Sequence, residues 1–124
     1  MGDKNISPEG WYVGRYLLRF VELEDAQIND PEARFLSWEN TVLVQADNLD
    51  HVYDKIIAIA TDASAPYSGG KQGIPVQWEF VGVTEILPIY EKLEDGCEIM
   101  WTEHAPRKLK NLRSRIRQRG EFDQ

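Results

Sequence analysis

Two histidines, one cysteine and three runs of acids are the side chains of this 124-residue sequence with the types needed for chemistry. His51 falls at the start of a helical pattern beside Asp47 and Asp50, and His104 lies far along the chain. A zinc site needs three or four ligands at defined spacing, and no third ligand accompanies either histidine. A capping or solvated His51 is the better expectation. Cys97 would need an oriented base and a lowered pKa to act as a nucleophile. No such pattern surrounds it, so it is expected to be structural. The acid runs are Glu22/Glu24/Asp25, Asp47/Asp50/Asp54 and Glu91/Glu94/Asp95/Glu98. Glycoside hydrolysis or hard-metal binding needs carboxylates that converge on one cavity. These acids fall at element ends and turns, where they serve caps and solubility. The loop Ser68-Gly69-Gly70-Lys71-Gln72-Gly73 shares glycines and a lysine with phosphate-binding loops. It lacks the full GxxxxGK[ST] pattern, and a strand rather than a helix follows it, so it is expected to be a plain flexible connection. The sequence therefore predicts no catalysis, no cofactor and no metal.

Charge is the strongest signal. Residues 1–104 carry seven Lys/Arg against nineteen Asp/Glu, a net charge of −12. Residues 105–119 carry seven cations and no acid: Arg107, Lys108, Lys110, Arg113, Arg115, Arg117 and Arg119. The whole chain has a net charge of −7. An acidic body repels nucleic-acid backbones over most of its surface, whereas the basic segment seeks an acidic surface. On a helical wheel Ala105, Leu109, Leu112 and Ile116 fall within about 60° of one another, a narrow apolar stripe among the cations. Pro106 suits the start of such a helix and Gly120 its end. Four like-charge pairs work against it: Arg107–Lys110, Lys110–Arg113, Arg113–Arg117 and Arg115–Arg119. At roughly 0.2–0.5 kcal/mol each, they oppose the isolated helix by about 1–2 kcal/mol. The expectation is that residues 105–119 are helical and dock, through Leu109, Leu112 and Ile116, on their own body or on a twin chain, with Arg113 or Arg117 near body carboxylates. Nucleic acid is the rival partner for the same segment, and a membrane is not expected.

The aromatic residues offer one more kind of chemistry. Trp38, Trp78 and Trp101 fall on expected strands and Trp11 starts one. Aromatic rings on a sheet can stack bases, but such platforms are flanked by cations. Arg15 and Arg19 are the only basic residues in the strand regions, so a core or interface role is favoured.

The elements that must position these residues follow from periodicity. Residues 1–10 are polar and are expected to be a flexible N-terminus. Residues 11–23 read as a strand with Tyr12, Tyr16, Leu18 and Phe20 on one face and Val13, Leu17 and Val21 with two arginines on the other. Residues 24–36 form a loop around Asn29-Asp30-Pro31. Residues 37–46 alternate with period two and form the second strand. Residues 48–61 place apolar side chains three and four apart, the pattern of an amphipathic helix capped by Asp47 or Asn48. Residues 62–75 are a Gly/Ser/Pro-rich loop, and residues 76–90 a long strand. Glu94-Asp95-Gly96 supplies a tight turn, after which residues 97–103 are expected to return as a fourth strand.

The fold class expected is α+β, in the order β-β-α-β-β-α. A four-stranded, mostly antiparallel sheet carries one helix on a face, and a basic helix ends the chain. Residues 11–104 form the domain, with residues 105–124 as basic helix and tail. Trp78 and Phe80 should be buried against Val52, Ile56 and Ile59.

Three segments carry a family resemblance: WYVGRYLLRF at 11–20, ENTVLVQADNLDHVYDKIIAIA at 39–60, and VQWEFVGVTEILPIYEKLEDGCEI at 76–99. The run Trp78-Glu79-Phe80-Val81-Gly82-Val83 followed by Leu93-Glu94-Asp95-Gly96 is the most specific part. Together they resemble DUF4288, a family of small bacterial proteins to which no activity is attached. The resemblance implies a small α+β domain over about residues 11–100, carries over no catalytic residue, and leaves the basic segment outside. With a single cysteine and no apolar run of membrane-spanning length, a cytoplasmic protein is expected. Its expected action is to bind a protein, as an immunity protein or inhibitor covers a basic partner, or to bind a copy of itself.

Overall fold

The computed structural model describes residues 3–68 and 73–122. Its frame is three long antiparallel strands, β1 (Trp11–Glu22), β2 (Ser37–Gln45) and β4 (Pro75–Pro88), with the two-residue β3 (Tyr67–Ser68) on the outer side of β4. The order across the sheet is β2-β1-β4-β3. Helix α1 (Leu49–Asp62) lies on one face, and a short α2 (Leu109–Arg113) comes near the end of the chain.

The central place of β1 explains its composition. A strand with neighbours on both sides and cover on both faces should be apolar nearly throughout, and Tyr12, Val13, Tyr16, Leu18 and Val21 are all buried. The core on the α1 side gathers Tyr12, Tyr16, Leu18 and Val44 against Val52, Ile56 and Ala60. Those three helix residues lie four apart and form one stripe. Gly14 is the contact point of the two layers. A Cβ built there would lie 2.1 Å from Ile56 Cδ1, so only glycine lets α1 rest on β1.

Helix α1 starts as its sequence predicts. Asn48 is the N-cap, and its side-chain oxygen accepts the His51 amide at 2.9 Å. Trp78 and Phe80 are half-buried, not buried as expected, and pack on the core that holds Val52 and Ile56. Ile59 departs from expectation and is 36% exposed. It sits on the flank of the stripe, four residues after Lys55, whose ammonium donates to the Gln45 carbonyl. That contact turns the Lys55/Ile59 side of the helix toward β2.

On the opposite face β1 carries its two arginines, each matched by an acid on a neighbouring strand. Arg15 lies 2.7 Å from Glu39 of β2, and Arg19 lies 2.8 Å from Glu79 of β4. Arg19 also donates to the Ile28 carbonyl at 2.8 Å and stacks 4.6 Å from the centre of the Phe35 ring. It thereby fastens the 23–36 loop to the sheet.

Two expected elements are absent or reduced. The turn at Glu94–Gly96 forms, with Gly96 at φ 84° and the Cys97 amide bonded to the Glu94 carbonyl. No strand follows it: residues 97–108 have no regular structure. A returning strand would need the outer ladder of β4. That strand slips register twice against β1, leaving Val81 and Thr84 unpaired, and ends on Pro88, which has no N–H to give. The short pairing at Tyr67 and Ser68 with Val76 and Pro75 is all the outer edge receives among the described residues. The basic helix expected over 105–119 contracts to Leu109–Arg113, with no side-chain cap at Lys108. Among the described residues no body acid pairs with its like charges, so helix beyond one turn and a half is unsupported.

The N-terminal residues are tied down where fraying was expected. Ser7 is buried; its hydroxyl donates to the Ile89 carbonyl at 2.5 Å, and its amide donates to the Tyr12 hydroxyl at 3.0 Å. The Tyr90 hydroxyl adds a bond to the Lys4 carbonyl.

Candidate interaction surface

The residues that could do chemistry do not come together. His51 Nδ1 accepts the Asp47 amide at 3.2 Å and serves the start of α1. His104 is exposed in the irregular stretch before α2. Cys97 is half-buried in the turn, where its sulfur accepts the Glu94 amide at 3.4 Å. Among the described residues no three His, Cys, Asp or Glu side chains converge as metal ligands would. The acid runs stay apart: Glu22, Glu24 and Asp25 end β1, Asp47, Asp50 and Asp54 surround the start of α1, and the Glu91–Glu98 group follows β4. The glycine-rich loop singled out at 68–73 has its residues 69–72 outside the described residues. An open cleft of about 330 Å³ borders Arg19, Asn29, Asp30 and Phe35, but Arg19 is already committed to Glu79 and Ile28.

What the fold does bring together is an aromatic corner. Trp38 opposes Leu18, and Trp78 opposes Phe20, on the two sides of β1. All four lie on the α1 face of the sheet. The Trp38 and Trp78 ring centres are 4.8 Å apart with planes at 38°, and Phe20 is 5.3 Å from Trp78 at 59°. Tilted rings at these separations attract one another. Helix α1 crosses the sheet from the Gln45 end of β2 toward β4, where the Gln77 side chain donates to the Ser64 carbonyl. The β2 corner it leaves open is where Trp38 stands, 56% exposed, with Leu36 also exposed and Ile59 on the flanking side of the helix.

Two of the elements that frame this corner end in acids, β1 in Glu22 and α1 in Asp62, and α1 carries one cation, Lys55. The C-terminal end of α1 presents partial negative charge, and its last turn holds no basic residue. Asp62 closes the helix on the Lys55/Ile59 side, and Glu22 follows Phe20 by two residues on the same strand face. Neither joins an ion pair among the described residues. The only strand cations among the described residues, Arg15 and Arg19, point to the other face and are paired there. A base-stacking platform needs cations beside the rings, and among the described residues the cation–ring contacts fall on Phe35 and Phe122 and not on Trp38 or Trp78.

The ten residues predicted to interact are all on the surface. Arg107, Lys108, Lys110, Arg113, Arg115, Arg117 and Arg119 are exposed, as are Leu109, Leu112 and Ile116. The docking expected within the chain is not seen: the apolar stripe lies open, and no ion pair joins Arg113 or Arg117 to a body carboxylate among the described residues. Arg117 turns inward on the segment itself, donating to the Glu121 carbonyl and lying 4.8 Å from the centre of the Phe122 ring. Trp101, placed on a strand by its sequence, is 57% exposed in the irregular stretch. The sequence names Trp38 and Trp78 as strand aromatics suited to a core or interface, but that the two rings meet depends on the sheet order β2-β1-β4.

No helix among the described residues is long and apolar enough to cross a membrane. The family model of DUF4288, a domain of unknown function, matches residues 11–101, so the match takes in the sheet, α1 and the aromatic corner and stops short of the basic segment. No curated protein and no solved structure matches.

Proposed function

This chain belongs to the DUF4288 family, and we propose that it acts by binding a basic protein, with the aromatic corner as the contact surface. The observation that carries this reading is Trp38: a large ring held against Trp78 by the sheet, yet more than half exposed. Tryptophan is enriched among the residues that dominate the energetics of protein interfaces. A rigid strand pair presents it at little cost in conformational entropy. The net charge of −12 on residues 1–104 steers a basic partner toward the body and speeds its encounter. In this reading the chain covers a surface of its partner, as an immunity protein or inhibitor does, and performs no chemistry of its own. A reducing compartment such as the cytoplasm suits the lone thiol of Cys97.

The test compares proteins retained by the immobilised full chain and by its Trp38→Ala variant. A basic protein held by the parent and lost from the variant, with the variant still cooperatively folded at the temperature of the experiment, supports the reading. Retention of the same proteins by both overturns it. A second reading, nucleic-acid binding by residues 107–119, is favoured by the exposure of all seven cations there. It predicts salt-sensitive binding of any DNA or RNA duplex, weakened evenly by each Arg→Ala change.

A further inference from the structure

We infer that the aromatic corner of one chain is covered, in the protein by itself, by the basic segment of a second copy, so that two chains exchange residues 105–119 about a two-fold axis. The inference rests on reading the corner as a docking surface, and it names the occupant.

Both halves of the contact are on one molecule, and each is incomplete alone. The corner offers the exposed ring of Trp38, and the elements that frame it carry two acids, Glu22 at the end of β1 and Asp62 at the end of α1, that join no ion pair among the described residues. The segment offers the complement in the same order of polarity. Leu109 and Leu112 lie on α2 and Ile116 just beyond it, 58%, 43% and 67% exposed, and they would line up as one apolar stripe between cations if the helix continued to residue 116. Within one chain the two do not meet. The stripe is open and the segment is helical only from Leu109 to Arg113. Repulsion between like charges three and four residues apart limits it. Acids from a partner would remove that repulsion at the moment the stripe is buried, so docking and helix growth are coupled.

A second copy is the occupant that the charges specify. Every copy carries a body of −12 and a segment of +7. The complementary pair is therefore always present at equal concentration. A two-fold arrangement satisfies both segments at once and closes the assembly, which is the commonest form of homo-oligomer. Exchange of a terminal element between identical chains needs no new surface to be built, only a segment that is undocked at home.

The test uses the full chain and three variants in sedimentation velocity across a concentration series. The parent is expected to shift from its 14.3 kDa chain mass toward twice that value as concentration rises. Its far-UV helical signal should rise along the same curve. Leu112→Ser/Ile116→Ser removes the stripe and should abolish the shift. Asp62→Arg removes the acid that ends α1 and should do the same. That change suits a helix C-terminus, so it should not harm folding. Trp38→Ala provides a second corner variant. Mixing the stripe variant with either corner variant leaves one intact segment-to-corner contact per pair of unlike chains, and should restore a heterodimer that neither forms alone.

A parent that stays monomeric at every concentration overturns the inference. So does a dimer that survives both kinds of variant, or a mixture that recovers nothing. A monomeric parent that binds oligonucleotide through residues 107–119 overturns it in favour of the nucleic-acid reading. Failure here is separable from failure of the proposed function. Partner capture that is lost in Trp38→Ala while the parent is monomeric keeps the corner as a docking surface and removes only the second copy as its occupant.

Discussion

Trp38 and Trp78 come from strands that are not neighbours, yet their rings lie 4.8 Å apart, bridging over the central strand between them. The two rings have different work to do. Trp78 is half-buried, touches Phe20 and belongs to the packing around the core, whereas Trp38 lies on top and faces solvent. Replacing Trp78 with alanine should therefore lower stability by about 3 kcal/mol, the lower end of the range for Trp→Ala in packed sites because the ring is half-buried. Replacing Trp38 should lower it by about 1 kcal/mol, the worth of an aromatic pair beyond buried area. Urea denaturation of the two variants checks the ordering. Equal losses would show that Trp38 is a core residue and not a presented one.

Gly14 sets the distance between the sheet and α1. A Cβ there meets Ile56 Cδ1 at 2.1 Å and Ile56 Cγ1 at 2.7 Å, with no room for the methyl unless Ile56 moves. The expected loss for Gly14→Ala is about 1–3 kcal/mol, the usual penalty of overpacking. The added change Ile56→Ala opens the space, so the double variant should lose less than the sum of the two single losses. A double-mutant cycle by thermal or chemical denaturation reads that coupling directly. Simple additivity would mean that the two residues do not touch.

Ser7 anchors the N-terminal residues through one hydroxyl. That oxygen donates to the Ile89 carbonyl and accepts the amides of Glu9 and Trp11, each at 3.2 Å. Ser7→Ala leaves a buried carbonyl and two amides short of a partner, for an expected loss of about 1–3 kcal/mol. Amide hydrogen exchange should quicken at Glu9 and Trp11 in the variant. Exchange unchanged at these two sites would show that the hydroxyl is not what holds the segment.

These three relationships also mark where the sequence can be read and where it cannot. The strands at 11–23, 37–46 and 76–90 and the helix at 48–61 announce themselves through period, because each buries a face along its own length. Asn48 announces the cap by its type and place. Cys97, Ile99 and Trp101 alternate as a strand would, but a strand exists only if an edge accepts it. The outer edge of β4 pairs only with Tyr67 and Ser68 among the described residues, which no local pattern in residues 97–103 records. The wheel of residues 105–119 identifies an apolar stripe but does not say what covers it. The corner of Trp38 and Trp78 needs the sheet order β2-β1-β4, and strand order is a property of the whole fold.

Arg19 holds the 23–36 loop by two contacts, the Ile28 carbonyl and the Phe35 ring, while its ion pair with Glu79 of β4 fixes the guanidinium to the sheet. The ion pair by itself is partly exposed and worth about 1 kcal/mol or less. The guanidinium, however, is also the anchor of a backbone carbonyl and an aromatic ring. Arg19→Lys keeps the charge and loses the planar fork. Limited proteolysis should then cut the loop near Asn29–Arg34 several-fold faster, with little change in global stability. Cleavage at the parent rate would place the anchoring elsewhere.

The last prediction separates the helix in the basic segment from its docking. Arg113 stands three residues after Lys110 and four before Arg117, so it contributes to two of the four repulsive pairs. The substitution Arg113→Glu turns both into attractions, and an acid four residues N-terminal to Arg117 is the favourable orientation along a helix. The change should favour helix by about 1–2 kcal/mol when the two reversed pairs are counted. Carbon chemical shifts in the full chain should show α2 growing past residue 113 toward Arg117. The same substitution removes one cation and adds an acid opposite Glu22 and Asp62, so the tendency to dimerise should fall. Helicity would rise while association drops. If charge repulsion were not what limits α2, the helix would keep its parent length in the variant. If the corner were not its partner, the dimer would strengthen as the helix became easier to form.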